Sequence, residues 1–242
     1  LFPAFLACLA LTLILRPCTV GNAPTEALRE ASEHAYYPWH LLAHLTLLHG
    51  LVPSTILPLS PMTLLPPGWS VSLEWQLYLI APLVLHILVS FGRPAAILGI
   101  LGSALFLVPP LSNWINHFWG GIGAFVPQRF IFFLLGMLVA IYPIKLPAVR
   151  IRWPSALIYL GQISYSSYLI HWPILAGLDT LLALVELPPD LHAVLLFFSA
   201  TPLILVASVV LYEHVEQPGI AFGAELIRRR REKILKESAL LN

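Results

Sequence analysis

The sequence predicts an all-α fold, a polytopic transmembrane helix bundle of about six spans with an interfacial or re-entrant segment on its outer side. Three observations predict it. Charged residues make up 10% of the 242-residue chain and apolar residues 58%, whereas an ordinary soluble domain carries about 25% charged residues. The mean hydropathy of +0.83 implies more apolar surface than a soluble core of this size can enclose, which lipid as solvent accommodates. The apolar residues also come in long runs without two-residue alternation, so each run satisfies its own backbone as a helix.

The expected spans are residues 1–15, 69–89, 94–111, 128–144, 155–178 and 191–212. Most are about 17–24 residues long, which suits a hydrocarbon layer of ~30 Å at 1.5 Å per residue. The first falls short of the ~20 residues a span needs. The chain opens Leu-Phe-Pro, without the basic start and small-residue cleavage site of a signal peptide, so residues 1–15 read as the remainder of a truncated helix. Cys8 lies in this run and Cys18 just beyond it, a spacing that suits neither a disulfide framework nor a metal site.

Charge sets the orientation. If the spans alternate, Arg93, Lys145, Arg150, Arg152, Arg228, Arg229, Arg230, Arg231, Lys233 and Lys236 fall on one side, and Arg16, Arg29 and Arg129 on the other. The positive-inside rule puts the first group in the cytoplasm. The expected protein is a multi-pass cell-membrane protein with a membrane domain over 1–223 and a basic cytoplasmic C-terminal tail over 224–242. That tail reads as a topology determinant and an anchor to anionic membrane lipid. It lacks the aromatic interleaving of a nucleic-acid-binding surface, and no nucleic acid is expected as a partner.

The long segment 16–68 belongs outside in this scheme. Within it, residues 39–57 are apolar yet hold His40, His44 and His49. They read as an interfacial or re-entrant helix, with a seventh span as the alternative. The i,i+4 spacing of His40 and His44 permits a metal, but no acidic third ligand is well spaced, so no metal is expected. The Pro-rich residues 58–68 read as an irregular entry to the next helix.

Ionisable residues inside spans are costly and mark function by default. Glu74 lies roughly 8 Å below the outer face and shares a helical face with Ser70 and Tyr78. His171 lies roughly 6 Å from the same face, on a stripe with Ser164 and Tyr168 and just before the helix-bending Pro173. Arg129 stands at the outer mouth of its span. Bland readings exist for each: a helix-locking bond for Glu74, a neutral bundle histidine for His171, a snorkelling side chain for Arg129. The shared level instead suggests one polar cavity holding an acid, a base and a cation. Glu213, His214 and Glu216, where the last span ends, read as facing water.

Four stretches carry a resemblance. WSVSLEWQLYLIAPLVL (69–85) looks like the Trp-Ser-x-x-x-Glu-x-x-x-Tyr signature of the acyltransferase-3 family of membrane O-acyltransferases. RFIFFLLGMLVA (129–140), LGQISYSSYLIHWPIL (160–175) and YEHVEQPGIAFG (212–223) resemble further segments of that family in the same order. The resemblance implies transfer of an acetyl or other acyl group from acyl-CoA, as donor substrate with no bound cofactor, to a hydroxyl of a carbohydrate, lipid or secondary metabolite. It matches Glu74, Arg129, Ser164, Tyr165, Tyr168, His171 and Glu216 to family motif positions. Glu74 and His171 are the expected catalytic residues. Arg129, Ser70, Tyr78, Ser164, Tyr165 and Tyr168 are the expected substrate-binding ones.

The family's first-helix histidine and its Arg-x-x-Arg element would both precede Leu1. The chain as it stands is therefore expected to be an inactive fragment. The alternatives are a transporter or flippase of a small anionic or glycosylated substrate, which uses the same intramembrane residue types, and a catalytically dead membrane scaffold.

Overall fold

The computed structural model describes residues 2–19, 36–142 and 153–240. Every regular element among them is helical: α1 (Phe2–Thr19), α2 (Tyr37–Leu45), a 3-10 turn (Pro66–Gly68), α3 (Trp69–Leu105), α4 (Leu111–Trp119), α5 (Val126–Ile141), α6 (Ser155–Gln162), α7 (Ser164–Leu182), α8 (Pro189–Leu211), a π turn (Tyr212–Glu216) and α9 (Gln217–Leu240). Two stretches, Pro66–Leu105 and Pro189–Ile234, are long and apolar enough to cross a bilayer. The shorter helices over Phe2–Arg16 and Val126–Ile141 are apolar too. The chain forms two compact units, one of Leu1–Asn22 with Trp153–Asn242 and one of Ala23–Arg152.

In the unit Ala23–Arg152, the expected helix over 39–57 is confined to α2. Its nine residues reach only ~14 Å, too short for a seventh span. Thr46 ends it by turning its hydroxyl back to the carbonyls of Leu42 (2.8 Å) and Ala43 (3.3 Å), a bond that competes with helix continuation. Leu47 follows with φ 58°, a left-handed conformation that costs a leucine about 1–2 kcal/mol. A bond from Ser72 Oγ to the Leu47 carbonyl at 2.6 Å holds it there.

The two spans expected over 69–89 and 94–111 form α3, whose helical halves meet at a kink. Gly92 breaks the helix at φ 59° and ψ −138°, a conformation only glycine adopts freely. Pro94 follows and lies inside the second half, which ends at Leu105 rather than 111. Both halves pack on α5 through Leu88, Ala96 and Leu134. The short α4 was not expected. It lies between the apolar runs and buries Ile115 while Trp114 stays exposed.

One polar knot ties this unit together. Ser72 Oγ accepts the Gly50 N–H at 3.0 Å. Gln76, two turns into α3, donates to the Ala124 carbonyl at 2.9 Å, and its Oε1 accepts the Val126 N–H at 3.2 Å. Gln128 fastens the other end of the same loop. It donates to the Gly120 carbonyl at 2.9 Å and to Asn116 Oδ1 at 2.8 Å, and accepts the Phe125 N–H at 3.3 Å. Gly50 sits where these segments cross: a Cβ there would stand 2.7 Å from the Ala124 carbonyl and 2.8 Å from Ser72 Oγ.

In the other unit, α7 and α8 pair broadly and α1 packs on α7 and the π turn. Phe5, Leu9, Ile163, Leu169 and Pro173 are fully buried. The run 155–178, expected as one helix, divides at Ile163 into α6 and α7. His192 Nε2 meets Asp179 Oδ1 at 2.9 Å, fastening the start of α8 to the end of α7. Helix α9 runs through the expected domain boundary at residue 223 without a break.

Replacing Gln76 by Leu strips the loop's buried N–H and carbonyl of their partners, each worth about 1–3 kcal/mol when left unsatisfied. The expected outcome is a clear fall in melting temperature by tryptophan fluorescence in detergent, whereas Trp75→Phe, at a neighbouring exposed position, leaves it unchanged.

Candidate functional site

The N-terminal end of α3 presents two polar stripes. The first, Ser72 and Gln76, is buried and wholly committed to the knot. The second is the expected Ser70–Glu74–Tyr78 face. Ser70 Oγ donates to the Pro67 carbonyl at 3.2 Å, closing the proline-rich entry. Glu74 is half-buried, and its Oε2 is withdrawn from solvent with no hydrogen-bond partner among the described residues. Tyr78 is 57% exposed and does not close over it. A carboxylate oxygen cut off from water and left unpaired is costly, so this face offers an acceptor for a hydroxyl or cation.

Arg129 is exposed on the first turn of α5. Its guanidinium lies close to Gly123. A Cβ at that glycine would collide with Nε, and would come within 2.7 Å of a terminal nitrogen and 2.9 Å of Cζ. Gly123 also has φ +82°. The positive φ favours glycine here, and the loop that carries it is the one Gln76 and Gln128 fasten. No ion pair joins Arg129 to Glu74 or to any other carboxylate among the described residues.

His171 belongs to the other unit. Its Nδ1–H donates to the Tyr168 carbonyl at 2.6 Å, a bond that fixes the tautomer and leaves Nε2 with the lone pair. The Tyr168 ring lies 6.0 Å away. Ser164 and Tyr168 are exposed and Tyr165 is half-buried. None of these side chains lines the apolar cavity of about 370 Å³ bounded by Trp39, Leu42, Ala43, Val52, Ile56 and Leu57.

Glu216 corrects the reading that it faces water. It is 6% exposed and accepts a bond from Ser166 Oγ at 2.6 Å. The π turn Tyr212–Glu216 accommodates one more residue per turn than an α-helix and aims the carboxylate inward. Glu213 and His214 are exposed as expected, and Glu213 accepts a bond from Tyr159 at 3.0 Å. Ser166 was visible only as the second serine of the Ser-Tyr-Ser run. Its pairing across fifty residues leaves no trace in local spacing.

The three histidines of 39–57 are all fully buried. The His44 and His49 rings stack at 4.1 Å and 7°. His44 Nδ1–H donates to the His40 carbonyl at 2.8 Å, and His49 Nε2–H to the Gly68 carbonyl at 3.0 Å. Among the described residues no group of three His, Cys, Asp or Glu is placed to hold a metal ion. Burial pushes His49 from 6.5 down to about 4. Burial, and next the neighbouring His49, hold His44 well below the ordinary imidazole range.

Comparison with family models, with curated proteins and with solved structures gave no match to this chain.

The histidine pair makes stability depend on pH. Unfolded imidazoles take up protons near 6.5, while the folded His49 resists until about 4. The unfolded state binds more protons across that window, so the fold weakens as pH falls through it and the loss levels off below. The share from His49 is roughly 3 kcal/mol at the acid plateau. His49→Gln, which keeps a donor for the Gly68 carbonyl, is expected to flatten this acid limb in denaturant unfolding followed by near-UV circular dichroism.

Proposed function

We propose that this chain is the membrane domain of an O-acyltransferase that moves an acyl group from acyl-CoA to a hydroxyl of a carbohydrate, lipid or secondary metabolite. In this reading it sits in the cell membrane with about six passes and its C-terminal helix in the cytoplasm. The observation that carries the reading is Glu74: a solvent-shielded carboxylate oxygen with no hydrogen-bond partner among the described residues, at the head of an apolar helix, beside a stripe already occupied by structural bonds. Its sequence setting, and those of Arg129, His171 and Glu216, resemble acyltransferase-3 motifs.

The chemistry is a thioester-to-ester exchange. A histidine base accepts the acceptor's hydroxyl proton as the oxygen attacks the thioester carbonyl. The tetrahedral oxyanion collapses to the ester, and the CoA thiolate leaves and is protonated. Cationic and N–H groups stabilise the oxyanion. Glu74 accepts a hydrogen bond that orients or charge-balances this apparatus, and Arg129 is suited to a carboxylate or phosphate. His171, with its Nε2 lone pair free of the Tyr168 bond, shapes the acceptor side.

Glu74→Gln keeps the side-chain volume and removes the charge. Expressed with any residues the gene encodes ahead of Leu1, this variant is expected to lower acylated product by about hundredfold or more at unchanged protein level, read by mass spectrometry of cell extracts. Unchanged acylation removes Glu74 from the mechanism. A substrate that crosses the membrane unmodified, with no ester and no free CoA formed, identifies a transporter instead.

A further inference from the structure

Helix α9 leaves its unit bare. From Leu226 to Ile234 every residue is exposed, and only its first turns are packed, Gly219 against Pro3 and the opening residues against the π turn. Yet it carries Ile220 (56% exposed), Ile227 (72%) and Ile234 (56%). Residues seven apart drift by only about 20° around a helix, so the three isoleucines form one line.

The arginines divide around that line. Arg230 and Arg231 stand three and four residues beyond Ile227, and four and three short of Ile234, so they flank the line on its two sides. Arg228 and Arg229 point to other faces, and Glu225 engages both: its oxygens meet Arg228 at 2.8–3.0 Å and Arg229 at 2.7 Å. Arg228 also approaches Glu232 at 3.8 Å. No described carboxylate pairs with Arg230 or Arg231. Arg230 and Arg231, with no described carboxylate partner, thus border the isoleucine line, while Glu225 compensates Arg228 and Arg229 away from it.

A second copy of the helix is a poor partner for this face. A two-stranded zipper needs a second apolar residue three or four positions after each isoleucine. Those positions hold Gly223, Ala224, Arg230 and Arg231. Guanidinium groups bordering an apolar line instead match a leaflet surface, with phosphate above and acyl chain below.

We infer that the Ile220–Ile227–Ile234 face of α9 lies in the headgroup region of an anionic phospholipid leaflet, with Arg230 and Arg231 binding lipid phosphates. The inference rests on the membrane reading above and is independent of the acyl-transfer chemistry.

The test uses the full chain with Cys8 and Cys18 changed to Ser and an environment-sensitive fluorophore on Ala224→Cys, beside the isoleucine line. The chain is incorporated into nanodiscs of phosphatidylcholine alone or of equal parts phosphatidylcholine and phosphatidylserine. The expected result is a blue-shifted emission in the anionic bilayer and water-like emission in the neutral one. Arg230→Glu with Arg231→Glu abolishes the shift; Arg228→Gln with Arg229→Gln preserves it. Equal emission in both bilayers, or equal loss from both double variants, overturns the inference. So does a shift that follows protein density rather than lipid charge, which identifies a second copy as the occupant. A chain that enters neither nanodisc overturns the membrane reading itself, and the lipid face with it.

Discussion

Gln76 is the side chain on which the arrangement of the unit Ala23–Arg152 turns. A carboxamide buried at the head of an apolar helix is tolerable only if its donors and acceptor are all met, and here it is met by a loop far along the chain, at Ala124 and Val126. That bond sets where the loop passes. The path of the loop sets Gly123, Gly123 sets the bed of the Arg129 guanidinium, and Ser72 one turn earlier sets the strained Leu47. Glu74 lies between these two anchors on the neighbouring face, so its position is inherited from residues that do no chemistry.

The Glu216–Ser166 bond does comparable work in the other unit. A carboxylate with so little solvent keeps its place through a short, charge-assisted bond. The π turn that delivers it interrupts an otherwise continuous helix from Pro189 to Ile234. Such interruptions raise the energy of a helix locally and are retained where they aim a side chain.

Hydropathy and periodicity made the helical class readable, and they located α1, α5 and α8 to within a few residues, because an apolar run records its environment directly. They failed where the deciding interaction is distant or small. Residues 39–57 look helical throughout, but Thr46 and the bond to Leu47 end the helix early. Gly92 reads as an ordinary loop residue between two spans rather than the joint of a single kinked one. At the site, the search for ionisable residues found Glu74, Arg129 and His171 but passed over Ser72, Gln76 and Ser166. Their neutral side chains attract no notice in a list of charges, although a polar pair four residues apart in an apolar helix obeys the same cost of burial that singled out Glu74.

The π turn has a consequence for helical phase. It takes about one residue more to complete its turn than an α-helix does, so the residues downstream lag by about 100° behind their place in an uninterrupted α-helix. Making Tyr212–Glu216 α-helical without changing its length would rotate the isoleucine line of α9 and swing Glu216 off Ser166 together, whereas deleting one residue at the same time would restore the phase of α9. One short irregularity thus acts as a common timing mark for an interior carboxylate and an exterior basic face.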